Sequence, residues 1–135
     1  MPRPALVCLL ACAVALLAGC GVEDPLAVHG RTLRLRLDEY RLLPQDVRVS
    51  PGRLRIVATN VGRLTHNVKI LREDRDNTEA PAREVGGTRS TQPGESASVT
   101  FASLPPGRYR LACTIANHDD LGQYGTLIVS GRAIR

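Results

Sequence analysis

Aromatic residues are scarce in this sequence. Tryptophan is absent, and one phenylalanine and three tyrosines make up 3% of the 135 residues. Proteins that bind single-stranded nucleic acids stack the bases on aromatic rings, and such rings are too few here. The net charge is +5, but the arginines stand singly along alternating runs, as at Arg34, Arg36 and Arg53, rather than in a block. We therefore expect no nucleic-acid partner, and a core built from aliphatic side chains.

Cysteines are also few once the N-terminus is set aside. Of the four cysteines, Cys8 and Cys12 lie in an N-terminal apolar run and Cys20 follows that run. Cys113 alone remains in the body of the chain. A framework of disulfides is therefore not expected, even in an exported protein, where disulfides are permitted.

The first residues carry the features of an export signal. Arg3 precedes an apolar run at positions 5–18. This run is too short to span a bilayer comfortably, so residues 1–19 are predicted to be a signal peptide. Its end, Leu-Ala-Gly-Cys at positions 17–20, resembles the bacterial lipobox, in which the cysteine becomes the lipid-modified N-terminus. An ordinary signal peptide cut nearby is the alternative.

A lipid on Cys20 would determine where the protein is located. Each buried acyl methylene contributes about 0.8 kcal/mol, so several chains on one residue form a stable anchor. We expect residues 20–30 to be the lipidated N-terminus and a linker. The anchor would hold the domain on the outer face of the cytoplasmic membrane, or on the periplasmic side of a cell membrane.

Short alternating runs separated by turn signals fill the rest of the chain. Apolar and polar residues alternate or form short extended runs at positions 32–37, 54–59, 67–71, 88–90, 98–102 and 126–129. Pro-Gly pairs at 51–52 and 93–94 mark turns. Positions 72–87 show no sustained period and are predicted to form a long loop, or a loop with a short helix. The pattern predicts one all-β domain over 31–135, a Greek-key β-sandwich of about seven to eight strands.

The segment 107–129 carries the residues with the most distinctive chemistry. Cys113 ends an alternating run and His118 follows five residues later. A thiolate and an imidazole on one short loop suit copper or zinc far better than calcium or magnesium. His66 is the best candidate for a third ligand, whereas His29 lies in the linker and is expected to be solvated. Taken alone, Cys113 could also be an inert buried thiol and His66 an ordinary histidine.

Together these residues resemble the cupredoxins, the small blue-copper electron carriers. The matching positions, over about residues 30–130, are Asn60, Gly62, His66 and Asn67, then Pro106, Gly107, Tyr109, Cys113, His118 and Gln123. The resemblance implies one type 1 copper ion bound by His66, Cys113 and His118. Gln123 would be the weak axial ligand, where most relatives carry methionine and stellacyanin-like members carry glutamine. It also implies that Asn67 ties the two ligand segments together by hydrogen bonds; the alternatives are a solvated Gln123 and an ordinary strand-start Asn67.

The function implied by this resemblance is that of a membrane-anchored, monomeric carrier of single electrons between redox proteins outside the cytoplasm. We do not expect an enzyme, because three histidines in all are too few for a second, catalytic metal. Two alternatives stay open: a copper-handling lipoprotein that delivers or stores the metal, and a metal-free cupredoxin-fold interaction module. Asp119 and Asp120 are either an acidic docking spot for a basic partner or a solvated loop tip.

Overall fold

The computed structural model of the chain describes residues 23–73 and 81–131. Within these residues there are ten strands and no helix: β1 (Leu26–Ala27), β2 (Thr32–Asp38), β3 (Arg41–Leu43), β4 (Asp46–Val49), β5 (Gly52–Asn60), β6 (Lys69–Arg72), β7 (Arg83–Gly87), β8 (Ser96–Leu104), β9 (Gly107–Ala112) and β10 (Tyr124–Val129). The described part of the chain accordingly has no apolar helix of membrane-spanning length. The predicted signal peptide and Cys20 lie outside the described residues.

The strands form two sheets that share one core. The larger sheet has the order β1-β4-β10-β9-β6-β7 and the smaller one the order β3-β2-β5-β8. Successive side chains of a strand point to opposite faces, so Leu33, Leu35 and Leu37 of β2 are buried while the arginines between them are exposed. The inward residues of both sheets form one cluster that is aliphatic except for Tyr109, and the partly buried Phe101 packs against this cluster. The prediction of an all-β sandwich is confirmed.

Strand register brings distant parts of the sequence to one end of the sandwich. β2 and β5 run parallel, and Leu37 pairs with Asn60 near their ends, so the turn after β2 and the loop after β5 are neighbours. Lys69 at the start of β6 pairs with Ala112 at the end of β9, and Ala112 pairs with Tyr124 at the start of β10. The residues just before β6, just after β9 and just before β10 are therefore neighbours as well.

Three short segments differ from the sequence-based prediction. β7 lies in the predicted loop 72–87 and pairs with β6; residues 74–80 of that loop lie outside the described part. β1 lies in the predicted linker and pairs with β4. These strands are held by backbone hydrogen bonds to one neighbour, which require no alternating pattern, and they raise the count above the predicted seven to eight. Positions 88–90 form no strand; only Thr91 makes an isolated bridge, to His66.

Candidate metal centre

Three side chains that can bind a metal converge at this end of the sandwich. His66, Cys113 and His118 each offer one ligand atom, and these atoms lie within 4.8 Å of one another. His66 and Cys113 are fully buried, and His118 is 7% exposed. Cys113 Sγ lies 3.6 Å from His118 Nδ1, and the two imidazole ring centroids are 5.1 Å apart. The cluster therefore has two nitrogen donors and one sulfur donor, shielded from solvent.

His66 is fixed by its backbone and by the loop that precedes it. Its backbone exchanges hydrogen bonds with Thr91: His66 N–H donates over 3.1 Å and His66 C=O accepts over 2.7 Å. Asn60 closes the loop, because its Nδ2 donates to the Leu64 and Thr91 carbonyls and its Oδ1 accepts from Gly62 N–H. The Asn60-x-Gly62 sequence thus stabilises the segment that presents the His66 ring.

Cys113 and His118 lie on one compact loop between β9 and β10. Cys113 N–H donates to the Gln123 carbonyl over 3.0 Å, and Gln123 N–H donates to the His118 carbonyl over 2.9 Å. His118 N–H donates to the Ile115 carbonyl over 3.1 Å. These are among the backbone hydrogen bonds that define the loop, which lies close to His66 because β6 pairs with β9.

Gln123 is fully buried and only half of its amide is satisfied. Its Nε2 donates to the Asp38 carbonyl over 2.7 Å, and this contact fixes which way the amide points. Its Oε1 has no hydrogen-bond partner within the described protein. A buried unpaired acceptor costs about 1–3 kcal/mol, so this oxygen is the kind of atom that a ligand would satisfy. The alternative of a solvent-facing Gln123 does not agree with its burial.

Asn67 joins the two segments that carry the candidate ligands. Its Oδ1 accepts from the Thr114 backbone N–H over 2.9 Å, and its Nδ2 donates to Thr114 Oγ1 over 3.2 Å. Asn67 directly follows His66, and Thr114 directly follows Cys113. These two hydrogen bonds therefore restrain the separation of the two ligand segments.

Glu39 was not expected from the sequence. It lies in the turn after β2, and its Oε1 is 3.0 Å from His66 Nε2. The Leu64 backbone N–H, then His66 and the Arg63 backbone N–H, lower the pKa of Glu39 to about 2, against the opposing effect of burial. No spacing rule connects positions 39 and 66. Only the parallel register of β2 with β5 places them together.

His29, Asp119 and Asp120 are not members of the His-Cys-His cluster. His29 is exposed, as expected for a solvated residue. The carboxylate of Asp119 accepts from the Asp120 backbone N–H over 3.0 Å, and Asp120 is exposed. Leu121 and Tyr124, close to them in sequence, are 51% and 40% exposed. The loop next to His118 therefore presents both carboxylates and apolar surface to solvent.

Solved structures with a similar fold include three auracyanins. Reduced auracyanin from the photosynthetic bacterium Roseiflexus castenholzii is 21% identical, covers 75% of this chain and 98% of that one, and has a TM-score of 0.64. Auracyanin A, a blue copper protein from Chloroflexus aurantiacus, is 18% identical over 77% of this chain and 99% of that one, with a TM-score of 0.60. Auracyanin B is 24% identical over 80% and 91% of the two chains, with a TM-score of 0.57.

Sequence comparison alone finds no counterpart: no family model and no curated protein matches the chain. The likeness therefore lies in the arrangement of the strands, and that arrangement spans nearly the whole length of each auracyanin. Together with the His-Cys-His cluster, it bears out the resemblance drawn from the sequence. The chain has the cupredoxin fold.

Proposed function

We propose that this chain binds one copper ion in a type 1 site and carries single electrons. The observation that carries the proposal is the set of unsatisfied buried atoms. Among the described residues, three buried side-chain polar atoms lack a hydrogen-bond partner, and two of them are His66 Nδ1 and Gln123 Oε1. Both belong to residues of the metal cluster or of its loop. A protein that bound nothing here would bear the cost of two unpaired buried acceptors without a compensating contact.

The donor set fits copper. Two imidazoles and a thiolate with a weak axial oxygen are the ligands of blue-copper sites, whereas calcium and magnesium require several oxygen donors. A bound copper ion would supply a one-electron couple between Cu(I) and Cu(II). Cys113 would contribute a thiolate, since a bound cation displaces the thiol proton. His66, Cys113 and His118 would therefore be the strong ligands.

The protein's part is to hold these ligands still and to exclude water. The backbone hydrogen bond from Cys113 to Gln123 and the Asn67–Thr114 contacts fix the ligand loop from both sides. Cu(I) and Cu(II) prefer different coordination, so a rigid site reduces the rearrangement that accompanies each electron transfer. The near-complete burial of His66 and Cys113 keeps solvent from joining the coordination shell.

Gln123 would be the axial ligand through Oε1. Its Nε2 is held by the Asp38 carbonyl, so the oxygen is the free end of the amide. An amide oxygen is a harder donor than a thioether and favours Cu(II). We therefore propose a lower reduction potential than that of the same protein with methionine at this position.

The partners would be extracytoplasmic redox proteins that meet the chain near His118. His118 is the one strong-ligand candidate that reaches the surface, at 7% exposure, so electrons would enter and leave through it. Exposed Leu121 and Tyr124 offer apolar contact nearby, and Asp119 and Asp120 would select a basic partner. Reversal of both charges should change the rate and its salt dependence; a rate that responds to neither excludes this docking role.

Membrane anchoring through a lipid on Cys20 remains part of the proposal. It follows from the lipobox-like sequence at positions 17–20. Mass spectrometry of the mature protein from membranes should find an acylated Cys20 as the first residue. An N-terminus elsewhere, without lipid, would replace the anchored carrier with a freely diffusing one.

A copper-handling lipoprotein is the competing function, and one experiment separates the two. Cu(II) is added to the full-length protein, and the visible spectrum and voltammogram are recorded. An electron carrier gives an intense thiolate-to-copper band and a reversible one-electron wave. Copper binding without the band, or without a reversible wave, favours delivery or storage, and no binding at all favours a metal-free module. The full burial of His66 and Cys113 favours the carrier, because an acceptor must reach the ion that it receives.

A further inference from the structure

Three consecutive residues, the last of β2 and the two of the turn that follows it, contact three different residues of the candidate metal centre. The Asp38 carbonyl accepts from Gln123 Nε2 over 2.7 Å. The Glu39 carboxylate lies within hydrogen-bond distance of His66 Nε2, at 3.0 Å. The Tyr40 ring lies edge-on to the His118 ring, with centroids 5.0 Å apart. The end of β2 and the turn after it therefore support the centre from outside, and among the described residues the one ion pair to the centre is that of Glu39 with His66.

A single carboxylate oxygen of Glu39, Oε1, makes three contacts to the loop after β5 and to His66. Oε1 accepts from Arg63 N–H over 2.7 Å and from Leu64 N–H over 2.8 Å, and it lies 3.0 Å from His66 Nε2. The side chain of Glu39 is 23% exposed, while that of His66 is fully buried. The carboxylate is thus fastened to the loop that leads into His66, and it joins that loop to the imidazole ring.

The contact determines which ring nitrogen of His66 is free. An ionised carboxylate only accepts hydrogen bonds, so Nε2 must carry a proton and donate it. In the neutral ring the other nitrogen, Nδ1, then has the lone pair, and this buried nitrogen has no hydrogen-bond partner among the described residues. The backbone donors lower the pKa of Glu39 to about 2, which agrees with an ionised acceptor at neutral pH.

Gly62 leaves room for this carboxylate. A Cβ at position 62 would lie 2.9 Å from the carboxylate carbon of Glu39, closer than side-chain carbons approach one another. Gly62 also donates its N–H to Asn60 Oδ1. A larger residue than glycine at position 62 would collide with the Glu39 carboxylate that contacts His66.

We propose that Glu39 is a positioning residue for the metal centre: it holds His66 with Nδ1 directed to the ion and adds a negative charge that favours the more positive oxidation state. Histidine ligands characteristically donate their second N–H to an outer acceptor, which fixes the tautomer and raises the basicity of the ring. Only the effect of the Glu39 charge on the oxidation states of the ion rests on the proposed copper function. The effect of Glu39 on the His66 ring can be measured in the protein without metal.

Three variants separate the effect of the Glu39 charge from the effect of its hydrogen bonds on the position of the His66 ring. Glu39→Gln keeps an acceptor oxygen for Arg63, Leu64 and His66 and removes the charge. Glu39→Ala removes both. Glu73→Gln is the matched control, because Glu73 pairs with Arg108 over 3.1 Å at the opposite end of β9. Arg108 precedes Cys113 by five strand positions, about 17 Å, beyond the screening length of about 8 Å at physiological ionic strength.

The first readout is the tautomer of His66 in the metal-free protein, from the ¹⁵N shifts of its ring nitrogens. The proposal predicts a proton on Nε2 in wild type, in Glu39→Gln and in Glu73→Gln, and a mixture of tautomers in Glu39→Ala. A wild-type ring with its proton on Nδ1, or a Glu39→Ala ring identical to wild type, overturns the positioning role. This result does not depend on copper.

The second readout is the reduction potential and copper affinity of the loaded proteins. Glu39→Gln should retain the wild-type visible spectrum and raise the potential, by about 59 mV for a tenfold loss of preference for Cu(II). Glu39→Ala should also lose about 10–100-fold in copper affinity. A shift in Glu39→Gln no larger than in Glu73→Gln refutes the electrostatic role. Failure of wild type itself to bind copper refutes the proposed function instead, and leaves the tautomer result to decide the positioning role.

Discussion

Replacement of Gln123 by methionine should raise the reduction potential without a substantial loss of stability in the metal-free protein. Gln123 is completely buried, and residues of this kind usually cannot be changed without a loss of stability. The expectation here is different because half of the amide is unsatisfied. Methionine is close to glutamine in shape and brings a thioether, the softer axial donor that favours Cu(I).

The size of the stability effect follows from the two ends of the amide. Loss of Nε2 removes one hydrogen bond to Asp38, which contributes about 0.5–1.5 kcal/mol. Loss of Oε1 removes a buried acceptor without a partner, a defect that costs about 1–3 kcal/mol. The two contributions oppose each other. The metal-free variant should therefore lie between about 0.5 kcal/mol less stable and about 2.5 kcal/mol more stable than wild type.

Asn60→Leu provides the matched control for this substitution. Asn60 is an equally buried amide, but it makes three hydrogen bonds: two donated to the Leu64 and Thr91 carbonyls and one accepted from Gly62 N–H. At about 1 kcal/mol each, their loss should cost about 3 kcal/mol. Both variants are compared with wild type by urea unfolding in the presence of a chelator, and Gln123→Met is then loaded with copper for voltammetry.

Two results would refute the reasoning about Gln123. A loss of 2 kcal/mol or more in the metal-free Gln123→Met protein, comparable to that in Asn60→Leu, would mean that Oε1 is satisfied in solution and is not kept free for a ligand. A fall in the potential of the copper-loaded variant would mean that Gln123 is not the axial donor, whatever its effect on stability.

The remaining predictions concern hydrogen bonds around the centre. Asn67→Ala should lower the free energy of unfolding of the metal-free protein by about 1–3 kcal/mol in urea, because Thr114 loses both of its contacts to Asn67; Asn67→Asp, which keeps the acceptor, should lose less, and equal losses would contradict this. Tyr109→Phe should cost about 0.5–1.5 kcal/mol through the 2.8 Å bond to the Pro105 carbonyl without changing the visible spectrum, and an altered spectrum would contradict a purely structural role. The ionised Glu39 should stabilise the metal-free protein fully above its unfolded pKa of 4.5, and this contribution should disappear as the pH falls through its folded pKa of about 2. The difference in free energy of unfolding between wild type and Glu39→Gln should therefore shrink between these two pH values. A difference that stays constant would contradict the pKa shift.

The long strands and the cysteine–histidine loop could be predicted from the sequence because their signals are local. Leu33, Leu35 and Leu37 alternate with arginines, and a half-buried strand has that period. Cys113 and His118 are five residues apart on one loop, so their proximity needs only a turn. The ligand pattern of the cupredoxins then pointed to His66, whose position beside them follows from the pairing of β6 with β9.

Features that depend on register between distant strands could not be predicted. Glu39 meets His66 only because β2 runs parallel to β5 with Leu37 opposite Asn60, and no pattern within either strand specifies that register. β1 and β7 are short edge strands held mainly by backbone hydrogen bonds. Their residues therefore show little of the alternating pattern that predicts a strand. The error at positions 88–90 has a similar origin: Thr88 N–H bonds to the Val68 carbonyl, but no continuous ladder follows.

The most direct test of the central claim is the visible spectrum of the full-length protein after addition of one equivalent of Cu(II), compared with the spectrum of Cys113→Ser. A thiolate bound to Cu(II) beside two imidazoles produces an intense visible band, and serine has no sulfur to produce it. We expect a blue wild-type protein and a Cys113→Ser variant without that band. A colourless wild-type protein, or a band that persists in Cys113→Ser, would contradict it.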